Sequence, residues 1–182
     1  MKIAFLGSGE FGLPTLQKLA IAHEVVCVVT SKDKAAGRNR KQTATPIAQW
    51  ASEQQLHVIK TDDVNCDDIR EEISALEVDA MVVIAFGQKL SDALIQSQRT
   101  MNLHASLLPR WRGAAPINAA VVHGDQRSGV SVITLAQEMD AGLVLGQVST
   151  AIFETETAGE LHDRLALLGP DIVLSVLSND CA

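Results

Sequence analysis

Short apolar runs alternate with longer stretches of helical period along the first two thirds of the chain. Lys2–Leu6, Val25–Thr30, Ala80–Ala85 and Met101–His104 read as strands, and three of the four are dense in Val, Ile or Phe. Continuous apolar strands separated by helices predict a parallel sheet buried on both faces. The intervening helices fall near Leu13–Ala20, Pro46–Gln54, Cys66–Leu76, Ser91–Gln96 and Ala115–His123. Pro14 and Pro46 suit the first turns of theirs, where a missing N–H costs nothing. After Gly124 the pattern changes. Val130–Leu135 and Leu143–Ile152 read as strands joined by a turn around Asp140-Ala141-Gly142. Thr157 and Glu160 then form a capping box at the start of a last helix. Leu161, Leu165 and Leu168 make its apolar stripe, and Gly169-Pro170 predicts a kink or a split into two helices. There are no internal repeats, low-complexity tracts or linkers. The fold class is α/β: a single doubly wound Rossmann-like domain over residues 1–182, with a mainly parallel sheet and ligands at the carboxyl ends of its strands.

Composition agrees with one globular domain. The chain has 182 residues, 47% hydrophobic and 20% charged, which argues against wholesale disorder. No apolar run approaches the roughly 20 residues that span a bilayer. The start, MKIAFLGSGEFG, lacks the form of a signal peptide, so a cytoplasmic protein with no membrane partner is expected. Cys27, Cys66 and Cys181 form no C-x-x-C pair, which argues against a disulfide framework and a cysteine zinc site. Cys27, inside VVCVV, reads as a small core residue. The net charge of −7 should repel a phosphate backbone. One segment opposes that trend: Ser31–Gln42 carries Lys32, Lys34, Arg38, Arg40 and Lys41 against the single acid Asp33.

Gly7-Ser8-Gly9-Glu10-Phe11-Gly12 fits G-x-G-x-x-G, directly after the first strand. A dinucleotide site would also place an acid at the end of the second strand, about 20 residues on. That strand ends Val28-Val29-Thr30-Ser31-Lys32, and the first acid is Asp33, inside the basic segment. A tight strand-to-helix turn explains the glycines without a ligand. A dinucleotide-binding module stays open as an alternative.

The chemistry concentrates in Asn102-Leu103-His104-Ala105-Ser106-Leu107-Leu108-Pro109-Arg110-Trp111-Arg112-Gly113-Ala114-Ala115-Pro116. Residues two apart share a strand face, so Asn102 and His104 project together at a strand's carboxyl end. An amide and an imidazole there can both donate to a developing oxyanion, and the imidazole can move a proton near neutral pH. Ser106 lacks the G-x-S-x-G elbow of a hydrolase nucleophile and reads as a structural hydroxyl.

The whole run, N-L-H-x-S-L-L-P-x-x-R-G-x-x-P, resembles the signature of the 10-formyltetrahydrofolate-dependent formyltransferases. Met139-Asp140-Ala141-Gly142 resembles the loop that carries that family's aspartate, and Ala85–Leu90 resembles a segment of its folate pocket. The resemblance runs from Met1 to about Leu177. It implies catalytic roles for Asn102, His104 and Asp140. An amine attacks the formyl carbon, Asn102 and protonated His104 stabilise the oxyanion, and Asp140 orients His104 and assists proton removal. It also implies folate contacts from Phe86, Gly87, Gln88, Leu90, Ser106, Leu107, Leu108, Pro109 and Met139, with 10-formyltetrahydrofolate as donor and no metal. Leu143 departs from many relatives, which carry an acid there.

Within the family, Ala36-Gly37-Arg38-x-Arg40-Lys41 followed by Thr45-Pro46-Ile47 is similar to a loop of the branch acting on initiator methionyl-tRNA. There the loop reaches the tRNA acceptor end, which would give Arg38, Arg40 and Lys41 that role here. Asn39 replaces a glycine of the pattern. Arg110 and Arg112 add positive charge, although Arg112 also suits a structural role. Nothing here resembles that branch's C-terminal tRNA-binding β-barrel, so weak tRNA binding by this chain is expected. A formyltransferase or formyl-folate hydrolase with a small-molecule acceptor remains the alternative.

Overall fold

Residues 1–36 and 41–179 are described by a computed structural model of the chain. Two units are distinguished, Met1–Thr100 and Met101–Ala182. The first runs β1 (Lys2–Gly7), a 3-10 turn (Glu10–Gly12), α1 (Leu13–Ala22), β2 (Glu24–Thr30), β3 (Lys34–Ala36) and β4 (Lys41–Thr43). It continues with α2 (Pro46–Glu53), β5 (Val58–Lys60), α3 (Asp67–Ala75), β6 (Ala80–Ile84) and α4 (Asp92–Ser97). β2 and β6 flank β1, and β5 lies beyond β2, all in parallel. Ile3, Phe5, Leu6, Val28, Val29, Met81, Val82 and Ile84 are buried, which is why these strands are apolar at consecutive positions rather than alternate ones. Pro14 and Pro46 take the first turns of α1 and α2, and Thr45 caps α2 by accepting from the Ala48 N–H.

Parallel strands deliver their carboxyl ends to one edge. There Ser8 and Gly9 donate backbone N–H groups to the Ala85 carbonyl, and the Ser8 hydroxyl lies 3.0 Å from that of Ser31. The glycines of this turn answer to packing. A Cβ on Gly7 would stand 2.7 Å from both the Ile84 carbonyl oxygen and the Phe5 ring.

The second unit begins within β7 (Arg99–His104), which leads to α5 (Pro116–Val122), β8 (Arg127–Thr134), β9 (Val144–Ala151), α6 (Ala158–Ala166) and α7 (Gly169–Asn179). β7 pairs antiparallel with β8, bringing His104 opposite Ser131, and β8 pairs antiparallel with β9, bringing Ser131 opposite Gln147. The Thr157–Glu160 capping box is formed; such caps contribute on the order of 1 kcal/mol. Leu161 and Leu165 are buried, while Leu168 is half-buried. The chain divides at Leu167-Leu168 into α6 and α7, the split that Gly169-Pro170 predicted. Gly146 of β9 lies beneath Ile172 and Val176 of α7, where a side chain would crowd both.

Three elements are absent from the sequence reading: β5, and the antiparallel pair β3 and β4. Each has three residues, too short to show a period. Among the described residues no helix is long and apolar enough to cross a membrane.

Candidate active site

β7 ends by delivering Asn102 and His104 to the same side, as their spacing predicts. His104 is buried, and only 8% of its side chain is accessible, against 12% for Asp140. Asp140 arrives from the β8–β9 connection and stands between them. Its Oδ1 accepts from Asn102 Nδ2 at 3.4 Å, and its Oδ2 lies 3.5 Å from His104 Nδ1. The second oxygen also accepts the Gly113 N–H at 2.9 Å, which ties the aspartate loop to the segment following β7.

The backbone explains how Asp140 gets there. Its φ is 52°, a left-handed conformation that aspartate tolerates better than most residues. Two residues later, a Cβ on Gly142 would overlap the Thr134 carbonyl oxygen at the end of β8. Only glycine lets the connection lie that close to the strand. Leu143 donates its N–H to the Thr134 hydroxyl, and its side chain is exposed.

His104 is held on its other side by main chain. Its Nε2 is 2.8 Å from the Trp111 carbonyl oxygen. A carbonyl only accepts, so Nε2 carries a proton and Nδ1 is the nitrogen turned toward Asp140. The Nδ1–Asp140 distance exceeds that of a strong charge-assisted bond, so this face of the ring is held loosely. The Asn102 amide is likewise at the long limit of its contact with Asp140.

The loop after His104 is fastened from within. Ser106, buried, donates to the Arg110 carbonyl at 2.6 Å, the structural use of its hydroxyl that its setting predicts. Ser131 of β8 donates to the Ser106 carbonyl at 2.6 Å and accepts the Leu108 N–H at 3.1 Å. Gln147 of β9 donates to the Leu108 carbonyl at 2.9 Å and lies 2.8 Å from the Ser131 hydroxyl. Leu107 is half-buried, Leu108 buried, and Pro109 exposed, as is Met139 at 64%.

Arg110 does not supply free positive charge. Its guanidinium grips Asp125, Nε to Oδ2 at 2.9 Å and Nη2 to Oδ1 at 2.6 Å. Hydrogen bonds from Arg110 and then Trp111 hold the Asp125 carboxyl down at about 2. Arg112 stands 3.8 Å from Glu138, both exposed. Asp125, Ser131 and Gln147 were invisible as site residues in the sequence, since none falls within a recognisable motif. For Ser131 and Gln147 the signal is the register that sets Ser131 beside His104 and Gln147.

In the first unit, Phe86 and Leu90 are buried, and Gly87 is exposed with φ 78°. Gln88 has both ends of its amide committed, accepting from the Val64 N–H and donating to the Thr61 carbonyl, each at 2.8 Å. Lys41 lies on β4, opposite Ala36 of β3. Arg38 and Arg40 lie outside the described residues. Among the described residues, no group of three or more His, Cys, Asp or Glu side chains is gathered that could hold a metal.

This arrangement of amide, imidazole and carboxylate is carried by a sequence whose residues 1–177 match the family model described as Formyl transferase, and the chain belongs to that family. It is 42% identical over 180 residues to the methionyl-tRNA formyltransferase of Methylococcus capsulatus, covering 97% of this chain and 58% of that relative. With the methionyl-tRNA formyltransferase of Fusobacterium nucleatum it shares 39% over 179 residues, again covering 97% and 58%. The chain thus spans somewhat over half the length of these curated relatives. Among solved structures, phosphoribosylglycinamide formyltransferase from Bacillus halodurans superposes with a TM-score of 0.81 at 19% identity, covering 99% of this chain and 97% of that one. The same enzyme from Campylobacter jejuni gives 0.78 at 21% identity, covering 100% and 98%. These likenesses show the fold, the α/β Rossmann-like class that the alternating pattern predicts.

Proposed function

We propose that this chain is the catalytic part of an enzyme that transfers a formyl group from 10-formyltetrahydrofolate to the amino group of initiator methionyl-tRNA, in the cytoplasm. The observation that carries the reading is the convergence of Asn102, His104 and Asp140, with Asp140 within 3.5 Å of both partners.

The three groups suit acyl transfer to nitrogen. The acceptor amine, freed of its proton, attacks the formyl carbon, and the carbonyl π electrons move onto oxygen. Asn102 Nδ2 and a protonated His104 Nδ1 are the available donors for that oxyanion, because Nε2 is already committed to Trp111. Neither is strongly held by Asp140, so each can turn to a stronger charge as it develops. Asp140 accepts the proton lost by the attacking nitrogen, directly or through water. The bond from carbon to the folate N10 then breaks, the oxygen lone pair re-forms the carbonyl, and N10 takes up the proton that Asp140 received, directly or through water.

Folate contacts are assigned to Phe86, Gly87, Leu90, Ser106, Leu107, Leu108, Pro109 and Met139. Phe86, Leu90, Leu108 and Ser106 are buried, each within its own unit, which favours support of the neighbouring backbone over direct polar contact. Gln88 belongs with them as a brace for Thr61–Val64. Arg38, Arg40 and Lys41 are assigned to the tRNA.

The acceptor reading rests on relatives near 40% identity being named methionyl-tRNA formyltransferase. A small-molecule acceptor is the second reading, because structures of this fold are named phosphoribosylglycinamide formyltransferase, although at 19–21% identity. Parallel formyl-transfer assays with charged initiator tRNA and with glycinamide ribonucleotide separate the two. Formylation of the tRNA alone is expected; formylation of the nucleotide alone would replace this reading with the second.

A further inference from the structure

We infer that Asp125 is a positioning residue for His104, acting through Trp111. The inference rests on His104 serving the reaction as proposed, but its structural core stands on contacts made entirely within the second unit.

Trp111 has φ 59°. That left-handed conformation is an outlier for a bulky side chain and persists only where surroundings over-determine it. Here the indole is held from three directions. Its Nε1–H donates to Asp125 Oδ2 at 2.6 Å. The Arg110 guanidinium, itself gripped by the same carboxylate, lies 4.4 Å from the ring centroid. The His123 ring packs at 4.4 Å between centroids, tilted by 47°. Asp125 is common to the first two of these holds, and its side chain is only 13% accessible.

The unusual backbone has one visible product. It brings the Trp111 carbonyl to His104 Nε2 at 2.8 Å and to the Ser106 hydroxyl at 3.5 Å. With Nε2–H committed there, Nδ1 is the nitrogen left to face Asp140 and the reacting carbonyl. Asp125 therefore fixes which nitrogen of His104 works, from a position that touches neither His104 nor Asp140 in the hydrogen bonds of the site.

The test is Asp125→Ala, with Asp125→Asn as the conservative variant and Trp111→Phe as a second route that keeps an aromatic side chain but cannot donate to Asp125. In the parent, long-range proton–nitrogen NMR should find His104 Nε2 protonated, with an N–H resonance slow to exchange. Asp125→Ala should lose that slow resonance and lower kcat about 10- to 100-fold, as small displacements of catalytic groups do, with KM for the formyl donor within about twofold. Asp125→Asn, which can still accept from the indole, should fall between the two, and Trp111→Phe should move both readouts in the same direction. If Asp125→Ala does not fold, Trp111→Phe decides. Retention of the parent His104 nitrogen spectrum in a folded variant overturns the inference, whatever happens to activity. An inactive parent with the expected spectral change would instead count against the proposed reaction while upholding the positioning role.

Discussion

Asp140 Oδ2 lies 3.5 Å from His104 Nδ1, and the same oxygen accepts the Gly113 N–H at 2.9 Å. The backbone amide thus takes the shorter bond, and the imidazole is left facing a carboxylate without being locked to it. A ring held this way keeps its orientation and, when protonated, has its Nδ1–H to give.

Asp140→Asn removes the carboxylate charge while preserving shape. Turnover should fall by about 10²–10⁴, the usual worth of a positioned acid–base group, with little change in the thermal midpoint. Rate measurements beside a melting curve check this. Turnover close to the parent's would show that the carboxylate is not the proton acceptor.

Gly142→Ala should act through geometry alone. The added methyl overlaps the Thr134 carbonyl, so the aspartate connection must move off β8. Both stability and kcat should fall, stability by about 1–3 kcal/mol as for overpacked sites. Denaturant unfolding measures the first. A variant as stable and active as the parent would mean that the connection has slack the structure lacks.

Stability at low pH should carry a contribution from Asp125. Hydrogen bonds from Arg110 and Trp111 hold its folded-state value near 2, below the ordinary carboxylate value of 3.8. A lowered folded value means the contribution is fully present above about pH 4 and is lost as pH falls through about 2. Arg110 is largely exposed, so salt should weaken its share. The stability difference between parent and Asp125→Asn should therefore shrink between about pH 5 and pH 2. A difference that stays constant across that window would remove the ion pair from the account.

Replacing Arg38, Arg40 and Lys41 with Ala should weaken tRNA binding and leave the affinity for a formyl-folate analogue unaltered. Each lost phosphate contact should lower the log–log salt slope by about 0.7–0.9, taking DNA-derived values as a guide. Equal tRNA affinity and slope in parent and variant would make this segment a solvated surface.

Local rules made much of the molecule legible. The period of two put Asn102 beside His104, and the Thr157–Glu160 spacing announced the start of α6. Asp140 was reachable only through resemblance, since nothing near it in sequence says that it folds back on β7. What holds the site was hidden. The Trp111 carbonyl and the Gly113 N–H are main-chain groups, which no residue type advertises. Arg110 looked like spare positive charge because its partner Asp125 lies beyond α5. β5 escaped because only Ile59 of its three residues is buried.

The most direct measurement is single-turnover formyl transfer to charged initiator tRNA by the parent, Asn102→Ala and His104→Ala, with the dissociation constant for a formyl-folate analogue taken on the same proteins. Each substitution should slow transfer by about 10²–10³, the cost of one oxyanion donor, while folate binding stays within about twofold. Transfer at the parent rate by either variant, at saturating donor, would contradict the assignment of that residue to the reacting carbonyl.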